Sequence, residues 1–204
     1  YRKNGYRDAE IVSDSIWYTD DKEEMYIRMR VHEGSMYKIR SIAWEGNTVY
    51  SDTVLNDRLN ILPGDVYNAD KFEQNLRGNE AQNDVASLYL DNGYLTFNLE
   101  PQEIQVADDS IDILIRVYER NQFRIGHVNI KGNTKTQEKV IRRELYTRPG
   151  DFFSRAAIVR SVRQLAQLNY FNPEKIKPDY GLVDDKSVDL TYEVEEKSSD
   201  NVNA

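Results

Sequence analysis

The chain has 204 residues, 39% of them hydrophobic and 11% aromatic, which is enough to build packed cores. With 27 basic and 35 acidic side chains its net charge is −8, a balance that argues against nucleic acid as a partner of the whole chain. There is no cysteine, which excludes disulfides and thiol catalysis, and no run approaching ~20 apolar residues that would cross a bilayer as a helix.

In chain order, Tyr1–Tyr6 leads into two extended segments, Ala9–Trp17 and Met25–Glu33. The sequence starts at Tyr1 without a methionine, and residues 1–36 read as the closing half of a unit whose beginning lies upstream. A first strand follows at Lys38–Trp44, with a slip in apolar phase between Ile39 and Ile42 that predicts a bulge. Gly46-Asn47 turns the chain, and Ser51 is placed to cap a short helix carrying Val54, Leu55 and Leu59. Pro63-Gly64-Asp65 stops that helix, because proline cannot continue it and glycine accepts the turn. Asn68 then caps a second helix bearing Phe72 and Leu76, which ends by Asn92-Gly93-Tyr94. Two strands joined at Asp108-Asp109-Ser110 complete the run as a hairpin.

The same order then recurs. Shifted by 86 positions, Gly46-Asn47-Thr48 falls on Gly132-Asn133-Thr134 and Pro63-Gly64-Asp65 on Pro149-Gly150-Asp151. Val54 and Leu59 fall on Val140 and Leu145, and Asn68 on Ser154, a second cap. Thr136 is expected to cap the helix that carries Val140, Ile141 and Leu145. The closing strands align as Met25–Glu33, Ile111–Glu119 and Val188–Glu196. The chain thus divides into 1–36 (half a unit), 37–122, 123–197 and a polar tail, 198–204. The first full copy carries ten extra residues around Arg77–Asp84, so its second helix is either extended or interrupted at Gly78-Asn79.

Charge is unevenly spread. Residues 1–122 carry 13 basic and 23 acidic side chains, whereas residues 123–163 carry ten basic and three acidic. That basic block includes Lys139, Arg142, Arg143, Arg155, Arg160 and Arg163, a candidate surface for an acidic partner or for anionic membrane headgroups. The alternative is an ordinary solvated pair of helix faces with internal pairs such as Glu138/Arg142. Nothing in the inventory suggests catalysis, a metal or a cofactor: His32 and His127 fall on separate strands, and no phosphate loop or nucleophile elbow is present.

The β-α-α-β-β order, the Gly-Asn turn after the first strand, the Pro-Gly before the second helix and the Asn-Gly-Tyr after it together resemble POTRA domains. These are the periplasmic repeats of outer-membrane β-barrel assembly factors of the BamA type. The resemblance covers essentially the whole chain. Val140–Glu144, Leu168–Phe171 and Tyr192–Lys197 fit the unit next to the barrel best. It implies an α+β fold of tandem units, each a three-stranded mixed sheet against two helices with its second strand at an edge. It further implies a non-enzymatic binding module, needing no cofactor, on the periplasmic face of the bacterial outer membrane. The implied partners are unfolded outer-membrane proteins, accessory assembly lipoproteins and the chain's own C-terminal barrel. Clients would join an edge strand through backbone pairing, with Leu95, Thr96, Phe97, Asn98 and Leu99 as candidate residues and Ala9–Trp17 and Lys175–Tyr180 as further edges. The third edge is the poorest, since Pro173 and Pro178 lack donors. Pro149 occupies a position that varies and is not an acidic docking residue here, so the family's contacts in this region do not all carry over. The competing assignments are a two-partner secretion or translocation-assembly transporter, and a cell-division or envelope scaffold.

Overall fold

A computed structural model describes residues 1–107 and 109–197. The expected turn at Asp108 and the tail 198–204 lie outside the described residues. Two compact units result, one of Tyr1–Val85 with Leu99–Tyr118, the other of Ala86–Asn98 with the chain from Glu119 onward.

In the first unit a 3-10 turn at Arg2–Asn4 precedes an antiparallel ribbon of β1 (Glu10–Tyr18) and β2 (Met25–His32). On the ribbon only Val31 is even partly buried, with Ala9 and Thr19 beside it. The chain then forms β3 (Lys38–Glu45), α1 (Asp52–Leu59) and α2 (Ala69–Arg77). It closes with β4 (Asn98–Ala107) and β5 (Ser110–Tyr118). The sheet order is β3-β5-β4, with β3 parallel to β5. Along β5, Ile111, Ile113, Ile115 and Val117 are buried and alternate with more exposed residues, the pattern of a strand covered on one face. Leu55, Leu59, Phe72 and Leu76 line the helix side of this core, as their spacing requires.

The second unit repeats the plan: β6 (Arg124–Lys131), α4 (Glu138–Arg142), α5 (Arg155–Gln167), β7 (Lys177–Leu182) and β8 (Ser187–Glu193). We number the short helix Val85–Leu90 of the first repeat α3. The sheet order is β6-β8-β7, β6 running parallel and β7 antiparallel to β8. Its core gathers Ile141, Leu165, Phe171, Val188, Leu190 and Tyr192, among others.

The expected bulge is present in both sheets, at Ile39/Ser41 and at Ile125/Val128. An aspartate of the central strand fastens each one. Asp112 accepts from Arg40 Nε (2.9 Å) and Ser41 Oγ (2.6 Å), and Asp189 accepts from the His127 backbone N–H (2.8 Å) and faces its ring. The bulge rephases the first strand so that Trp44 and Val128 reach the core.

Three expectations are corrected. Leu95, Thr96 and Phe97 do not belong to an edge strand, since β4 begins at Asn98. The backbone N–H groups of Tyr94 and Leu95 turn back to the carbonyls of Tyr89 and Gly93, and the Phe97 ring stacks on Tyr89 at 5.1 Å. Thr136 does not cap α4; the cap position is Gln137, without a side-chain bond. The helix entry is instead satisfied by Glu196, which accepts from Thr134 Oγ1 (2.7 Å), Lys135 N (2.9 Å) and Thr136 N (2.6 Å). These bonds hold the half-buried Glu196 carboxyl down at a pKa of about 2. Lastly, Pro173–Lys175 is a 3-10 turn, so the third edge starts only at Lys177. Ser51, Asn68 and Ser154 cap as expected.

Candidate polypeptide-binding edges

Each three-stranded sheet has two outer strands, and the structure treats them differently. The outer sides of β3 and β6 are partly occupied by the Pro-Gly-Asp segments. Ile39 N–H donates to Asp65 O (2.9 Å), Gly64 N–H to Ile39 O (2.7 Å) and Tyr67 N–H to Tyr37 O (2.9 Å). The second unit repeats this with Ile125 to Asp151 O (2.8 Å), Gly150 to Ile125 O (2.7 Å) and Phe153 to Phe123 O (3.1 Å). Pro-Gly-Asp does not itself stop the helix as expected, because α1 ends at Leu59 with Asn60 in left-handed backbone as its C-cap and α4 ends at Arg142. The segment instead lays a short backbone cap on one sheet edge.

The opposite outer strands, β4 and β7, each have a neighbouring strand on one side only. β4 and β5 are consecutive and adjacent, joined by two residues, so they run antiparallel. In such a strand a residue's N–H and C=O point to the same side, and the sides alternate. Leu99 O accepts from Arg77 Nη2 (2.8 Å), which places Leu99 on the outward set. Pro101, Glu103 and Gln105 follow on that set. Pro101 sits where its missing N–H disturbs no pairing with β5. β7 is shorter and exposed along its whole length, with Tyr180 and Leu182 about half exposed on one face. Of the candidate residues, Asn98 and Leu99 open β4, Leu99 is buried, and Leu95 packs against the second core.

The basic block does not form one free surface. Arg142 is committed to Glu138 (Nε to Oε1, 2.6 Å) and to Val128 O (2.8 Å), and Arg143 pairs with Glu144 (3.0 Å). Arg155 is half-buried and donates to Ser87 Oγ (2.6 Å), beside Asp91, which accepts from Ala156 N at the start of α5 (2.7 Å). Arg160 lies 5.0 Å over the Tyr146 ring, and Lys139 and Arg163 are exposed. His32 is exposed on β2, and His127 serves the bulge. Among the described residues no group of three His, Cys, Asp or Glu is placed to hold a metal ion.

Sheet order, repeated bulge and one-sided edge define tandem α+β repeats of one kind. The POTRA family model, described as "Surface antigen variable number repeat", matches residues 37–120 and 123–197, and the chain belongs to that family. The chain is 30% identical over 99% of its length to a Treponema pallidum protein given as a candidate outer membrane protein assembly factor, of which it covers 24%. It is 27% identical over 98% of its length to the outer membrane protein assembly factor BamA of Neisseria meningitidis serogroup B, again covering 24%. The crystal structure of Haemophilus influenzae BamA POTRA3-5 superposes with a TM-score of 0.71 over 95% of this chain and 75% of that one, at 19% identity. The chain spans about a quarter of the length of these two curated relatives.

Proposed function

We propose that these repeats are the periplasmic receiving part of a BamA-type outer-membrane protein assembly factor. They act by binding and not by catalysis. Unfolded barrel segments join the open edges of β4 and β7 as added strands, and the exposed cations of α4 and α5 give accessory lipoproteins or anionic headgroups a second contact. The observation that carries this reading is the asymmetry of the sheets: in both units one outer strand is capped by its own Pro-Gly-Asp segment, whereas among the described residues the other has a neighbouring strand on one side only. Backbone pairing reads side chains loosely, which suits a receiver of many different barrel precursors. The similarity to assembly factors along nearly the whole chain supports the same reading.

The test is photocrosslinking in living cells, with the reactive residue placed at Gln102 on β4, Asp179 on β7, and Asp65 and Asp151 on the capped side. Adducts to unfolded barrel proteins are expected from the first two positions and not from the last two. No client adduct from Gln102 or Asp179 contradicts the reading.

A further inference from the structure

Residues 1–36 have almost no core: Gly5 is the one buried residue among them. What fixes this segment on the rest of the first unit is therefore a small set of contacts near its start. Arg7 Nε donates to Glu103 Oε2 at 2.7 Å, with both side chains less than a third exposed. Tyr67, itself buried, donates its hydroxyl to the other oxygen of the same carboxylate. Beside them the Tyr37 hydroxyl donates to Asp8 Oδ2 at 2.6 Å, and the Arg7 guanidinium lies 5.6 Å over the Tyr37 ring. The Tyr37 backbone N–H donates to Gly5 O at 2.9 Å, and Gly5 is packed so closely that a Cβ there would stand 2.5 Å from Val66 Cγ1. Burial, reinforced by the bond to Glu103, drives the Tyr67 hydroxyl well above the ordinary tyrosine range, so it stays a donor.

We propose that Glu103 is the keystone of a clasp, with Arg7 and Tyr67, that sets the orientation of segment 1–36 against the module 37–118. A charge-assisted bond shielded from solvent holds more firmly than an exposed pair. The one other ion pair from this stretch to the module, Lys3 with Asp70 at 2.9 Å, is exposed and contributes little among the described residues. Glu103 is carried by β4, the strand whose outer edge is open. Segment and edge therefore share one strand. The clasp is a property of the fold, and it stands whether or not clients bind.

Because the chain has no cysteine, Asp14→Cys on β1 and Asp57→Cys on α1, both exposed, give two clean spin-label sites in the full 204-residue chain. Double electron–electron resonance should return one narrow distance distribution. Arg7→Met and Glu103→Ala should each widen it roughly twofold or more, as the segment samples further orientations, whereas Lys3→Ala should leave it narrow. Circular dichroism checks that the module is folded. Should Glu103→Ala unfold it, Arg7→Met decides, because Arg7 lies outside the module's core. A distribution that stays narrow in Arg7→Met overturns the proposal.

Discussion

The two complete modules agree wherever backbone geometry is at stake and diverge where only length is. The bulge, the aspartate that fastens it, the Pro-Gly-Asp cap and the glycine turn after the first strand all recur. Helix length does not. In the first module α1 has eight residues and the second helix breaks at Gly78, resuming as α3; in the second α4 has five and α5 runs thirteen without interruption. A sheet edge and its cap tolerate no slippage, because one residue of shift reverses every side chain, whereas a surface helix can be cut and restarted. The edge strands differ too, ten residues in β4 against six in β7, so the first module offers the longer ladder.

Substitutions at matched positions probe this agreement. The largest effect is expected at Gly46 and Gly132, both in left-handed backbone (φ 86° and 87°), where a Cβ would meet the carbonyl oxygen of Val117 or Val194. Alanine at either should cost about 3 kcal/mol in urea denaturation, combining left-handed strain with overpacking. Gly64 and Gly150, with nothing within 4 Å of an added Cβ, should lose only about 1 kcal/mol. Asp84 tests the divergence, since it is buried and accepts from Asn79 N at 3.2 Å within the insertion. Asp84→Ala should cost about 2 kcal/mol by leaving the half-buried Asn79 N–H without this acceptor. Next come the caps: Asn68→Ala and Ser154→Ala should each cost about 1 kcal/mol, and Thr136→Ala less, because its side chain caps no helix and is one of several groups bonded to Glu196. Smallest is an acid effect confined to the second module. The Glu196 carboxyl is depressed from 4.5 to about 2 in the folded state, so its contribution is present above pH 4.5 and fades as the pH falls toward 2. Glu196→Gln should flatten that limb of the stability curve and change little at neutral pH.

The repeat, the bulge, the caps at Ser51, Asn68 and Ser154 and the order of elements along the chain are legible in the sequence, because each is set by local spacing or by a residue with few conformational options. The mixed sheet and its edge strand come only from the family resemblance. The sequence allows the interruption at Gly78 as one of two alternatives, since a mostly polar excess of ten residues satisfies either. What the sequence concealed depends on distant partners. The displacement of Thr136 as a cap rests on Glu196, sixty residues away, and the start of β4 rests on ring stacking between Tyr89 and Phe97. The edge-capping role of Pro-Gly-Asp becomes visible only once its backbone is seen against the first strand. Charge counting likewise overstated the basic surface, because Arg142 and Arg155 are spent on internal bonds. One signal was present and unused: Ile-Asp-Ile at 111–113 and Val-Asp-Leu at 188–190 place the bulge-fastening aspartates at matched positions.

The decisive measurement is an amide NMR titration of the isotope-labelled chain with an extended peptide whose apolar residues alternate as in a barrel strand. Shifts and slowed hydrogen exchange should concentrate on the outward amides of β4, Glu103 and Gln105 among them, and along β7, sparing β3 and β6. Binding that perturbs β3 or β6 instead, or leaves β4 and β7 unmoved, would contradict a one-sided open edge as the site where polypeptide is received.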